Sequence, residues 1–342
     1  MEIKNLTMPF FQAARRGDNA PYKHVLTIIA VVVGAFIGQI PLGIAVTMKM
    51  RENGVGLEEM EAFQESLDFS RLGMDSNLAL FLMLLSFVAA LGALFLCVAA
   101  LHKKRAADVL TGRRRLDWGR IAFAFAFWFA LSAGLEVAAY LLDPGNYTLQ
   151  FELSSFMPLL LISLLVLPLQ TTFEEALFRG YLMQGFGLLF RNRWLPLLLT
   201  SAAFGLLHFA NPEVGEFGFG LMMSYYIGTG LLLGLCTLMD EGTELALGLH
   251  AATNIYGATV VSFAGSALQT QAIFRVKELD VALMLAIAVA SGALFLLVSA
   301  RKYGWQDWGK LFRRIEFEEV AVSGEAAGSE QTGNILPEDE TL

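Results

Sequence analysis

Three sets of polar side chains interrupt long apolar runs in this sequence, at spacings that would let them act together. The first is Glu174, Glu175 and Arg179, in FEEALFRGYL. On a helix, Glu175 and Arg179 are four apart with the acid N-terminal, the favourable order for an ion pair. Glu174 then points about 100° away around the helix and is expected to stay unpaired. A carboxylate left unpaired in a dry cavity is suited to take a proton from water. The second set is Phe204 and His208, in SAAFGLLHFANP, one helical turn apart with ring and imidazole on one face. The third is His250 and Asn254, in LGLHAATNIYG, again at i and i+4. Their N–H groups are expected to serve a single spot, as a developing oxyanion requires. Each set alone has a plainer explanation: a buried ion-pair network, a packed or capping histidine, an interhelical hydrogen bond. Together they occupy three separate apolar segments, where an ionisable side chain costs about 2.5–3.5 kcal/mol on insertion scales.

The segments that must position these groups are membrane helices. Of 342 residues, 56% are hydrophobic and only 16% charged, and the mean hydropathy is +0.56. Those values exclude an ordinary soluble domain. Crossing the hydrocarbon core takes roughly 20 mostly apolar residues. Eight segments fit: 25–46, 77–101, 118–142, 156–190, 194–209, 217–239, 244–265 and 281–300. The fourth is too long for one plain crossing and carries Pro168, which is expected to kink it. The fifth is short.

Lys and Arg gather on the cytoplasmic side of such proteins. With both termini inside, Lys103, Lys104, Arg105, Arg113, Arg114 and Arg115 share one cytoplasmic loop, whereas the opposite side holds only Lys49, Arg51, Arg71, Arg275 and Lys277. The net charge of −8 comes from an acidic loop over 48–75 and from the end of the chain after 315. The fold expected is all-α and polytopic, with about eight transmembrane helices around a cytoplasm-facing polar cavity. Small residues such as Gly205, Gly230, Gly234 and Gly248 would let those helices approach closely.

Residues 1–24 lack the apolar core and cleavage site of a signal peptide and are expected to lie on the membrane as an amphipathic cytoplasmic segment. Residues 25–142 form a three-helix membrane part, 156–265 a core carrying the polar sets, and 281–300 the last crossing. Residues 301–342 supply an interfacial helix, over 303–320, and a tail expected to be disordered from 323. His24 and His102 are expected at the membrane edge, and Arg120, Glu136 and Glu244 as structural or snorkelling groups. Cys97 and Cys236 form neither a disulfide framework nor a CxxC site. No nucleic-acid footprint is present.

With EExxxR, FxxxH and HxxxN in this order on successive helices, the sequence resembles the CAAX prenyl endopeptidase and bacteriocin-processing group of intramembrane proteases, the CPBP or ABI family. The resemblance spans about 156–265. It implies peptide-bond hydrolysis without a covalent intermediate. By motif position, Glu174 would be the general base, and His208 would position the water. His250 and Asn254 would stabilise the oxyanion, Glu175 and Arg179 would shape the pocket, and Phe204 would line it. No cofactor is expected. The alternative is a zinc ion held by Glu174, His208 and His250, although the HExxH helix of zincins is absent. The implied partners are the lipid bilayer and a peptide or protein substrate, either a prenylated terminus or a leader peptide. The implied location is the plasma membrane. Two other classes compete: a proton-coupled transporter relaying through the same groups, and a non-catalytic immunity or scaffold protein binding a peptide there. A proton relay has no use for an amide beside its second imidazole, which separates it from the hydrolase.

Overall fold

The computed structural model describes residues 9–317, and within them the apolar runs are helices. In chain order these are α1 (Phe10–Ala14), α2 (Pro21–Asn53), α3 (Leu57–Ser66), α4 (Ser76–Ala100), α5 (Ala106–Leu110), α6 (Trp118–Leu142) and α7 (Leu153–Leu165). They continue as α8 (Leu167–Glu175), α9 (Met183–Phe190), α10 (Trp194–Leu207), α11 (Pro212–Phe217), α12 (Phe219–Asp240), α13 (Glu244–Thr259) and α14 (Val281–Tyr303). Three short strands, β1 (Tyr147–Leu149), β2 (Val261–Phe263) and β3 (Phe274–Val276), form one small sheet in the order β1-β3-β2. The protein is an all-α polytopic membrane protein. Among the described residues, six helical stretches are long and apolar enough to cross a bilayer: α2, α4, α6, Leu153–Phe190, α12 and α14.

The two shorter apolar helices, α10 with 14 residues and α13 with 16, carry the second and third polar sets. Every residue of α13 from Glu244 to Ala252 is buried. A helix enclosed by protein need not span the full hydrocarbon thickness, because its ends are met by polar protein groups and not by lipid. Helix α2 shows the opposite pattern, exposing Phe36, Ile37, Ile40 and Ile44 as a lipid-facing stripe. Close approach of the inner helices depends on small residues, as the sequence suggests. A Cβ on Gly248 would lie 2.2 Å from the Ile121 carbonyl oxygen, so α13 and α6 meet backbone to backbone there.

The long fourth segment, one helical stretch over Leu153–Phe190, is interrupted at Val166, just before Pro168. Helix α7 ends at Val166, and α8 restarts with Pro168 in its first turn, where a missing N–H costs no helical bond. After Glu175 the chain widens into a π-helix over Ala176–Leu182 before α9 begins. Such expansions concentrate at functional positions. The side-chain amide of Gln184 donates to the Asp108 carbonyl at 2.9 Å, fastening this region to α5.

Several peripheral expectations are corrected. Of the segment 1–24, residues 1–8 lie outside the described residues, and Phe10 and Phe11 meet protein and not lipid: they are 0% and 1% exposed and pack in one core with Met183, Leu238 and Trp305. Of the stretch 303–320, the described part to 317 is not one amphipathic helix. Gly304 ends α14 at φ +69°, a short 3-10 turn covers Trp308–Phe312, and the Ile315 N–H then donates to the Arg191 carbonyl at 2.8 Å. His102 is no interface residue either. It is buried, with Nδ1 2.8 Å from the Asp18 carbonyl oxygen and Nε2 2.8 Å from the Tyr181 hydroxyl. The tail over 323–342 lies outside the described residues.

Glu244 and Arg120 are structural groups. Arg113 bridges Glu244 at 3.0 Å and Asp240 at 3.1 Å, and Arg120 reaches Asp240 as well. Glu136 accepts the Tyr147 hydroxyl at 2.6 Å. Between α12 and α13, Glu241 adopts φ +58° and receives two distant groups: the Phe10 N–H at 2.7 Å and Lys310 Nζ at 2.7 Å.

Candidate active site

Four elements bring the polar sets together inside the helix bundle. The last turn of α8 supplies Glu174 and Glu175, the π-helix supplies Arg179, the end of α10 supplies Phe204 and His208, and α13 supplies His250 and Asn254. Gly230, which also reaches the cluster, sits near the middle of α12. At about 1.5 Å per residue that is roughly 16 Å from either end.

Glu175 is the hub. Its Oε1 accepts from Arg179 Nη1 at 2.8 Å and from His250 Nδ1 at 2.7 Å. Arg179 and Glu175 are both 0% exposed. Arg179 Nη2 also donates to the Gly230 carbonyl at 3.4 Å, and its guanidinium lies 4.2 Å from the centre of the Phe204 ring. A Cβ on Gly230 would stand 2.9 Å from Ser201 Cα. The lack of a side chain there therefore lets α12 come in against α10.

An ionised carboxylate only accepts, so His250 donates from Nδ1 and presents Nε2 on its other side. That nitrogen lies 3.4 Å from Glu174 Oε2. Glu174 is therefore not isolated, as its place on the helix suggested. It faces an imidazole that is itself held by the neighbouring acid. Glu174 Oε2, Glu175 Oε2 and Arg179 Nε are buried without a hydrogen-bond partner among the described residues. Buried orphan polar atoms are rare, and three in one cluster call for a functional explanation.

The third set departs from expectation. His250 and Asn254 share a face of α13, but their donors go to different acceptors: His250 to Glu175, and Asn254 Nδ2 to Gln170 Oε1 at 2.9 Å. The cause is antiparallel packing of α8 on α13. Moving along α13 from 250 to 254 moves back along α8 from 174 to 170, so each polar group meets its own rung. Gln170, one turn before Glu174 and buried, is a site residue that reading the motifs missed. Its i−4 spacing from Glu174 was the available signal.

His208 caps α10, with Nδ1 donating to the Phe204 carbonyl at 2.8 Å. Its ring stands 4.6 Å from Phe204 and stacks on Tyr226 at 4.4 Å with 25° between planes. Phe204 in turn meets His250 edge-on at 5.9 Å. Thus Glu174, Glu175, Arg179, Phe204 and His250 form one contact cluster, and His208 joins it across the Phe204 ring. Tyr226 gave no signal in the sequence beyond being an aromatic in a span. Among the described residues, no three His, Cys, Asp or Glu side chains gather as a metal-binding group.

Comparison with known proteins agrees with the motifs. The family model for type II CAAX prenyl endopeptidase Rce1-like proteins matches residues 154–256. The uncharacterized protein YyaK of Bacillus subtilis (strain 168) is 33% identical over 183 residues, which cover 53% of this chain and 61% of that relative. No solved structure matches. The matched stretch contains every residue of the buried cluster, and this chain is a multi-pass integral membrane protein whose residues 154–256 match the family model of Rce1-like CAAX prenyl endopeptidases.

Proposed function

We propose that the protein is a CAAX-type intramembrane endopeptidase that cleaves near a substrate terminus with water activated by Glu174. One observation carries this reading: His250 is held by Glu175, itself paired with Arg179, so that its second nitrogen lies 3.4 Å from Glu174, inside the matched stretch. Arg179 offsets the charge of Glu175, as a low-dielectric site requires of a buried carboxylate.

In the proposed reaction Glu174 takes a proton from water as the water oxygen bonds to the scissile carbonyl carbon, and the C=O electron pair moves onto oxygen. The His250 ring, held by Glu175, lies beside that oxyanion. The second N–H of Asn254, left over from its bond to Gln170, is the other donor. His208, with Nδ1 occupied by the Phe204 carbonyl, offers the Nε2 lone pair to orient the attacking water. Collapse breaks the C–N bond, and Glu174 passes its proton to the leaving amine. The products are a carboxylic acid and an amine, and no step calls on a metal.

The test uses purified protein in nanodiscs with C-terminally labelled peptides of two kinds, farnesylated CAAX peptides and unmodified leader-type peptides. Cleavage by the wild type and none by Glu174→Gln is the expected result. Wild-type rates in Glu174→Gln would remove Glu174 as the base. Peptide binding without cleavage by the wild type would favour a non-catalytic role.

A further inference from the structure

Beside the cluster stands a second polar chain that the proposed reaction leaves unused. Tyr226 lies one turn before Gly230 on α12 and is 9% exposed. Its ring stacks on His208 at 4.4 Å, and its hydroxyl accepts from Asn211 Nδ2 at 3.1 Å. The same hydroxyl faces the carboxylate of Glu213. Glu213 is 6% exposed, its Oε1 accepts the Ala267 N–H at 2.6 Å, and its Oε2 has no hydrogen-bond partner among the described residues. Burial pushes this carboxyl above the usual carboxylate range. A costly group of this kind is retained where it holds something in place.

We propose that Tyr226 is a positioning residue for His208: its ring fixes the plane of the imidazole, and its hydroxyl, held by Asn211 beside the Glu213 carboxylate, keeps the ring from turning away. This rests on the reading that His208 orients the attacking water. A ring packed only by its faces keeps alternative rotamers within reach, whereas one tethered at its far end does not. Glu213 in turn accepts the Ala267 N–H, in the segment that follows β2.

The experiment compares wild type, Tyr226→Phe, Tyr226→Leu and Glu213→Gln as full chains in nanodiscs, with two readouts. One is kcat and KM on a cleaved peptide. The other is the 15N signal of the His208 imidazole, accessible because the chain has 4 histidines. Tyr226→Leu should lower kcat about tenfold to a hundredfold, the scale a misplaced group costs, with KM little changed. In the same variant the single Nδ1–H tautomer of His208 should give way to a mixture. Tyr226→Phe, which keeps the ring but cuts the tether, and Glu213→Gln, which removes the carboxylate beside the hydroxyl, should fall between. Unchanged kcat and an unchanged His208 signal in Tyr226→Leu would overturn the proposal. If that variant does not fold, an unchanged His208 signal in both Tyr226→Phe and Glu213→Gln would do so. A wild type that cleaves no peptide would defeat the endopeptidase reading, while the His208 signal would still decide whether Tyr226 holds the imidazole.

Discussion

Arg179→Ala is the perturbation whose size follows most directly from the geometry. It removes the 2.8 Å partner of a fully enclosed carboxylate, the bond to the Gly230 carbonyl and the cation over Phe204. Stranding one member of a buried pair costs about 3–5 kcal/mol, and the lost cation–π contact about 1 kcal/mol. At about 2 °C per kcal/mol for a chain of this size, Tm should fall by about 8–12 °C. Replacing Glu175 as well should return a large part of the loss. In the Glu175→Gln, Arg179→Ala double variant no charge is stranded, and the glutamine carbonyl still accepts the His250 Nδ1–H. Recovery of about 2–3 kcal/mol is expected from this cycle. Unfolding can be followed with a thiol-reactive dye, because Cys236 is buried and, once Cys97 is replaced, is the sole thiol. A single variant within about 2 °C of wild type, or a double variant no more stable than the single, would refute the picture of Glu175 as a charge held in place by Arg179.

Three further outcomes are expected. Glu174→Gln and His208→Ala should each abolish or severely reduce turnover while leaving Tm near that of wild type, since neither removes a partner of the Glu175–Arg179 pair; a large loss of Tm in either would recast that residue as structural. Cleavage should survive exhaustive chelation, and loss of activity restored by added zinc would overturn the metal-free scheme. Asp108, on α5 outside the spans, gives a pH test. Burial alone would raise its carboxyl, but hydrogen bonds from Arg105 and Arg16 bring it down from 3.8 to about 2. A depressed folded-state value stabilises above the unfolded one and is lost as pH falls through the folded one. The stability gap between wild type and Asp108→Asn should therefore hold above about pH 4 and close toward pH 2, as read from Tm against pH.

Polar residues in apolar runs were legible because lipid makes each of them expensive, and so EExxxR, FxxxH and HxxxN marked the site without any knowledge of the fold. Which acceptor each donor finds was not legible. Helical spacing puts His250 and Asn254 on one side, but only the antiparallel packing of α8 sends one to Glu175 and the other to Gln170. The same packing gives Glu174 an imidazole neighbour that its angle on the helix could not reveal. The π-helix after Glu175 leaves no composition signal, because it is set by tertiary contacts. At the periphery, aromatic-rich stretches read as membrane-surface helices. Phe10 and Phe11 instead found room in the core, an outcome that periodicity cannot separate from lying on lipid.

The double grip on Glu241 matters to anyone handling the protein. A residue forced into a left-handed turn joins the helix that bears Tyr226 and Gly230 to the helix that bears His250, and it is steadied by groups far away at both extremities of the described chain. Trimming past Phe10 or Lys310, or fusing a rigid reporter close to either, would loosen the hinge between those helices from a distance. Impaired cleavage after such tailoring would then report a slackened joint, with every motif residue still present.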